Sequence, residues 1–297
     1  MELAEADPRV LHITADNGPG FDEVFKAKFP NQYYNFGIAE SNMVSAAAGM
    51  ASAGQIPFVC SAGAFLAYRA LEFIRVDVCF QNMNVKLVGT GSGLSLSSLG
   101  PTHHTTEDIS MLRAIPNLMI LSPATPIQVA SCVQIAYEHK GPVYIRTGMN
   151  REKEFLDEDY ILDPTVNDVL MDKGDDILVL STGSILDEAN KACSKLSDEG
   201  FGIKQVNISC LKPVSEDDLL SHIEKCRKII TIEEHNIHGG LGSIISEICT
   251  YRGIHKKILP IGLEDSFASG YGTYDTIRRK NGLDSDSIYN RIKKDLS

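Results

Sequence analysis

IPFVCSAGAFLAYRALEFIRVDVCFQNMNVKLVG, residues 56–89, contains one complete structural unit. IPFVC (56–60) is apolar and rich in branched side chains, as a buried strand requires, and VKLVG (85–89) repeats that character. Between them, Phe65–Phe80 has the length and spacing of a helix. A strand, a helix and a second buried strand form a right-handed crossover, which makes the two strands parallel.

The same alternation extends both ways. VLHIT (10–14), LMILS (118–122) and PVYIRT (142–147) read as further buried strands, and Ala39–Ala53, Thr106–Ala114 and Pro126–Glu138 as helices. It lapses at residues 150–172, which are charged and aperiodic, and resumes with DILVLST (176–182), IKQVNIS (203–209), KIITIEE (228–234) and KKILPIGL (256–263). Helices are expected near 185–199 and 215–225 and after Gly239-Gly240. The fold class is therefore α/β, with two domains that are each a mostly parallel sheet flanked by helices. The expected boundaries are 1–150, a connection at 151–172, and 173–297.

Composition narrows the function. The 297 residues carry 28 Lys and Arg against 39 Asp and Glu, a net charge of −11, which repels a nucleic acid backbone. No apolar run approaches the ~20 residues of a membrane span, and MELAEADPRV lacks the apolar core of a secretory signal. Seven cysteines, an odd number without a C-x-x-C pair, read as reduced, buried thiols. The expected location is the cytoplasm, with neither nucleic acid nor membrane as partner.

Three segments have chemical potential. In YYNFGIAESNMVSAAAGMASAG (33–54), Glu40 begins a helix whose following turns are nearly all small, so a backbone or flat ligand can approach closely. Glu40 also reads simply as a first-turn acid stabilising the helix. In LVGTGSGLSLSSLGPTHHTTEDISMLRAIPN (87–117), glycines follow a strand without the spacing of a dinucleotide fingerprint. His103 and His104 lie in a loop beyond a strand, where open α/β sheets bind ligands, and Thr105 or Thr106 is placed to cap the next helix. In ITIEEHNIHGGLGSIISEI (230–248), Glu233, Glu234, His235 and His238 suggest a metal site, but Gly239-Gly240 breaks the helix that would align the histidines. A close strand-to-helix packing explains those glycines better. No G-x-S-x-G elbow supports a hydrolase.

NFGIAESNM, IPFVCSAGAFLAYRALEFIR, GPTHHTTEDISMLRAIPN and PVYIRTG together resemble the pyrimidine-binding domain of transketolase. DILVLSTGS, EEHNIHGGLGS and FASGYGTYDTI resemble its C-terminal domain. The Gly-Asp-Gly motif with its downstream Asn, which binds magnesium and diphosphate in that family, does not occur in the chain. The resemblance is therefore to the C-terminal subunit of a split, two-chain transketolase. It implies a ketol transferase using thiamine diphosphate and Mg2+, with metal and diphosphate held mainly by an N-terminal partner subunit. The assembly it implies is a dimer of heterodimers, with part of the apolar surface around 33–80 at an interface.

The same resemblance assigns residues. Glu40 takes the position of the acid that hydrogen-bonds the cofactor's aminopyrimidine, and Asp16, in TADNGPG, that of an acid near the thiazolium. Ser61-Ala62-Gly63-Ala64-Phe65-Leu66 departs from the family's S-T-F-x-x-F, so Phe65 is the candidate for the ring stacked on the pyrimidine, with Tyr68 behind it. His103 matches the histidine that faces cofactor and substrate, His104 is a helper, and Arg146 matches an arginine that binds a sugar phosphate. Leu99 replaces an acid that reads a donor hydroxyl, and Gly91 replaces a phosphate-binding histidine. A sugar other than the ordinary pentose phosphates therefore fits the pattern. A deoxyxylulose phosphate synthase-like subunit, a 2-oxo acid dehydrogenase beta-like subunit and a non-catalytic scaffold are the competing expectations.

Overall fold

The structure, a computed structural model, describes residues 1–16, 21–150 and 152–296. Its strands are β1 Val10–Thr14, β2 Tyr33–Asn35, β3 Ile56–Ala62, β4 Lys86–Thr90, β5 Met119–Leu121, β6 Val143–Thr147, β7 Asp168–Asp172, β8 Ile177–Thr182, β9 Ile203–Asn207, β10 Cys210–Lys212, β11 Lys228–Asn236 and β12 Lys257–Leu263. They form a seven-stranded sheet in the order β10-β5-β6-β4-β3-β1-β2 and a five-stranded sheet in the order β12-β11-β8-β9-β7. Every pairing is parallel except those of β10 with β5 and β7 with β9. The antiparallel exceptions are edge strands.

The nine strands expected from apolar runs all form, because the central runs are buried on both faces and need no alternation, and the edge strand β12 is buried over its last three residues. Three short strands break the expected scheme. β2 sits inside the YYNFGIAE segment, and β7 occupies residues expected to be connection. β10 follows β9 yet joins the first sheet, so the chain re-enters the first layer after leaving it. Accordingly, a single cluster of buried apolar side chains runs from Ile13 and Met43 through Ile109 and Leu112 to Leu180, Ile229 and Ile245.

The helix read at 65–80 is unusual in its winding. Phe65–Arg69 and Ile74–Phe80 are wide, π-type turns on either side of a short α-helical turn, Leu71–Phe73. Each wide turn changes which residues share a face, a device found often at functional sites. The helix expected at Thr106–Ala114 is shorter, Asp108–Leu112, and neither Thr105 nor Thr106 caps it. The Thr106 hydroxyl donates instead to Glu107 Oε1, at 2.8 Å.

Candidate active site

The carboxyl ends of β1, β3, β4 and β6 lie side by side, and the loops leaving them carry most of the residues singled out above. Glu40 arrives from the flank. The chain leaves β2 through Gly37, whose φ of +66° suits glycine, and Asn35 Oδ1 accepts from the Gly37 amide at 2.8 Å. This turn ends at Ala39, and Glu40 begins the helix Glu40–Ser52 with only 1 % of its surface exposed.

Small residues on that helix let the 65–80 helix pack closely. Ala47 and Ala48 are buried, and the Ser41 hydroxyl donates to the Arg69 carbonyl at 3.2 Å. Arg69 is thereby brought to Glu40, with Nη1 to Oε2 at 2.5 Å. Its guanidinium lies over the Phe65 ring, 4.7 Å from the centroid, and the Phe65 ring meets His103 edge-on at 5.0 Å. Glu40, Arg69, Phe65 and His103 thus form one continuous run of contacts. Sequence reasoning missed Arg69. The available signal was its place four residues after Phe65, where a helical pair meets.

Tyr68 occupies a different position from Phe65. Its hydroxyl accepts from the amides of Thr106 and Glu107, at 2.9 and 3.0 Å, and donates to Glu107 Oε2 at 2.7 Å. Burial, and then the nearby Asp108 charge, push its pKa upward, so the hydroxyl stays protonated and ties the 65–80 helix to the histidine loop. His103 is half-buried, with Nδ1 at 2.9 Å from the Thr102 hydroxyl. His104 faces inward: it is 3 % exposed, and neither ring nitrogen has a hydrogen-bond partner among the described residues. Burial lowers its pKa, against the opposing pull of Glu234 and Glu107, and favours the neutral ring. Asp16 stands exposed at the end of β1 with φ +31°, and Asn17 to Gly20 of TADNGPG lie outside the described residues.

Arg146 requires a correction. It was expected to anchor a substrate anion, but it is 1 % exposed and its Nε and Nη2 donors are committed within the protein. Nε donates to Asp108 Oδ2 at 2.9 Å, and Nη2 donates to the carbonyls of Thr105 and Glu234, both at 3.0 Å. Asp108 also accepts from the Tyr144 hydroxyl at 2.8 Å. A guanidinium held this way braces the two sheets against the histidine loop.

The acidic and histidine-rich segment at 233–238 is likewise structural. The Glu233 carboxylate accepts from the amides of Leu241 and Gly242, at 2.7 and 2.9 Å, and so caps the helix Leu241–Tyr251. A side chain at Gly240 would collide with that carboxylate, which accounts for the glycine. His235 is buried and His238 exposed, and among the described residues no three His, Cys, Asp or Glu converge on a possible metal position.

Two family models divide the chain. "Transketolase, pyrimidine binding domain" matches residues 1–151, and "Transketolase, C-terminal domain" matches residues 168–288. The chain belongs to the transketolase family. It is 36 % identical to an apulose-4-phosphate transketolase chain of Actinobacillus succinogenes, over 89 % of this chain and 85 % of that one. It is 30 % identical to the 6-deoxy-6-sulfo-D-fructose transketolase subunit of a Clostridium species, over 97 % of this chain and 89 % of the other. Among solved structures, a split-gene transketolase described as an inactive β4 tetramer superimposes with a TM-score of 0.90. That match has 31 % identity and covers 99 % of this chain and 94 % of the other. The run from Glu40 to His103 lies wholly within the pyrimidine-binding transketolase domain, and the C-terminal domain meets the Arg146 brace behind it through the Glu234 carbonyl.

Proposed function

We propose that this chain is the C-terminal subunit of a two-chain transketolase that moves a two-carbon ketol unit from a ketose to an aldose with thiamine diphosphate and Mg2+. The contact run Glu40–Arg69–Phe65–His103 carries the reading. Its donor set suits the aminopyrimidine end of that cofactor. A buried carboxylate at the edge of the sheet can accept a hydrogen bond from a protonated ring nitrogen, and Phe65 offers a flat face beside it. When bound, the cofactor would supply the nucleophilic carbon and the electron sink of the reaction.

This chain's residues would do the rest. Glu40 holds a proton at the pyrimidine nitrogen, Arg69 keeps Glu40 oriented, and Phe65 sets the plane of the pyrimidine. His103 moves protons to and from the sugar oxygens. His104 lines the inner wall, and Asp16 faces the thiazolium side. Mg2+ and diphosphate fall to the N-terminal subunit, whose binding motif is absent from this sequence. The exposed apolar side chains of Tyr34, Ile38, Val76 and Phe80 favour an interface between subunits next to the site, within a dimer of heterodimers. The relative described as an inactive β4 tetramer is in line with dependence on a partner. With none of the seven cysteines in a disulfide among the described residues, we place the complex in the cytosol.

Donor choice departs from the ordinary pentose phosphates. Leu99 is exposed where the resemblance expects an acid, and Gly91 has no side chain to meet a phosphate. Two relatives named for apulose-4-phosphate and 6-deoxy-6-sulfo-D-fructose support an unusual ketose. The test is calorimetric titration of thiamine diphosphate with Mg2+, on this chain alone and on its complex with the partner, followed by a ketose screen. Binding and ketol transfer in the complex alone are the expected result. Carbon dioxide release from pyruvate, or a stable complex that binds no cofactor, would overturn the proposal.

A further inference from the structure

His103 sits in a long irregular loop, and that loop is gripped by the other domain. Gly93 and Thr105 exchange backbone hydrogen bonds, both at 2.9 Å, and so close the loop at its base. The next residue, Leu94, buries its side chain in the apolar core of the second sheet, with Ile177, Ile185 and Ile232. Its amide donates to Glu234 Oε1, at 2.7 Å. Gly93 must be glycine here: at φ +62° its backbone passes so close that a Cβ would lie 2.8 Å from Glu234 Cγ.

Glu234 lies on β11 and is fully buried. Its other oxygen accepts from the hydroxyls of Tyr274 and Ser184, at 2.6 and 3.1 Å, and from Arg278 Nη2 at 2.7 Å. The Glu234 carbonyl and the Thr105 carbonyl share Arg146 Nη2, and the Asn236 amide donates to the Thr106 carbonyl at 2.8 Å. Further along, the Ser97 hydroxyl donates to the Gly272 carbonyl at 3.0 Å, and the Tyr271 ring lies against Gly100. One oxygen of Glu234 therefore serves its own domain, and the other holds the loop.

We propose that Glu234 is a positioning residue, which fixes the Leu94 amide and through it the placement of His103 beside Phe65. The C-terminal domain then has a share in the reaction without touching substrate. This inference rests on the reading of His103 as a proton-moving group.

Two single substitutions separate positioning from mere structural support. Glu234→Asp keeps the charge that Arg278 and Tyr274 need but withdraws the carboxylate from Leu94 by one methylene. Glu234→Gln keeps the reach to the Leu94 amide but loses the charge. Each is measured in the complex with the partner subunit for kcat, KM and thiamine diphosphate affinity. Each full-length chain is also measured for amide hydrogen exchange across residues 91–106.

Positioning predicts that Glu234→Asp loses kcat by roughly tenfold or more, and Glu234→Gln by less than about threefold, since misplacement of about 1 Å can cost ~10²-fold. Cofactor affinity stays unchanged, and exchange at 91–106 rises more in Glu234→Asp than in Glu234→Gln. The reverse order, or equal values, overturns the proposal, because a purely ionic brace loses more with Gln. If the wild-type complex transfers no ketol but exchange follows the expected order, the loop-holding role stands and the transketolase reading falls.

Discussion

Replacing Arg146 by Ala separates two roles that a sequence motif cannot distinguish. A substrate anchor would lose affinity for an anionic donor and little else. In the structure, loss of the guanidinium strands the buried Asp108 carboxylate, which keeps the Tyr144 hydroxyl as its donor, and removes a donor from the Glu234 carbonyl and from the Thr105 carbonyl, which keeps the Gly93 amide. Breaking a buried ion pair by removing one partner costs about 3–5 kcal/mol. At roughly 2–4 °C per kcal/mol for domains of this size, the melting temperature should fall by about 6–20 °C. Thermal unfolding of the purified chain, followed by circular dichroism, measures it. The double variant Arg146→Met with Asp108→Leu removes the stranded charge and should recover part of the loss. A single variant that melts within about 2 °C of wild type, with a raised KM for a phosphorylated ketose, would refute the brace and restore the anchor.

Glu40→Gln should reduce turnover of the complex by about 10² or more. It should cost less than about 1 kcal/mol in stability, because Arg69 is half exposed and its pair with Glu40 is screened, a split that kinetics and melting measure together. Lys86 is fully buried, donates to the carbonyls of His139 and Gly141 at 2.7 Å, and has its pKa pushed down to about 7 by burial. Below pH 7 the amine is charged in both states; above it the folded protein releases a proton that the unfolded chain keeps until its ordinary value near 10.5. Stability relative to Lys86→Met should therefore rise with pH between 7 and 9, by at most about 1.4 kcal/mol per pH unit, and a flat difference in urea unfolding would refute it. Gly93→Ala should cost about 1–3 kcal/mol from its left-handed backbone alone and should loosen residues 91–106 in hydrogen exchange.

The parallel architecture was legible because each central strand is a predominantly apolar run and each crossover helix lies between two such runs. The edges were not. β2 and β10 have three residues each, too few for any period to register, and β7 is only partly buried, with Asp at either end. β10 also depends on information that no local window contains. Its partner β5 is some ninety residues earlier, and only the packing of the two domains brings Cys210 opposite Leu121.

The candidate site divides along the same line. Glu40, Phe65 and His103 could be found because helix starts and strand ends are local features, and the family resemblance assigns them roles. Arg69 left only its spacing from Phe65 as a trace, and Glu234 left none, because their meaning lies in what they touch across the fold. The wide turn at Phe65–Arg69 determines whether Arg69 faces Glu40, and apolar periodicity is silent about it. The Glu233-Glu234 pair looks like a metal site or a solvated acidic run, yet the two carboxylates do unrelated work on opposite sides of β11. Glu233 caps a helix of its own domain, whereas Glu234 reaches the other domain. Alternation along a strand makes that division unavoidable, since neighbours must point to opposite faces. A histidine loop with one neighbour of such a pair at its back is held against the second sheet, a contact that no local stretch of sequence announces.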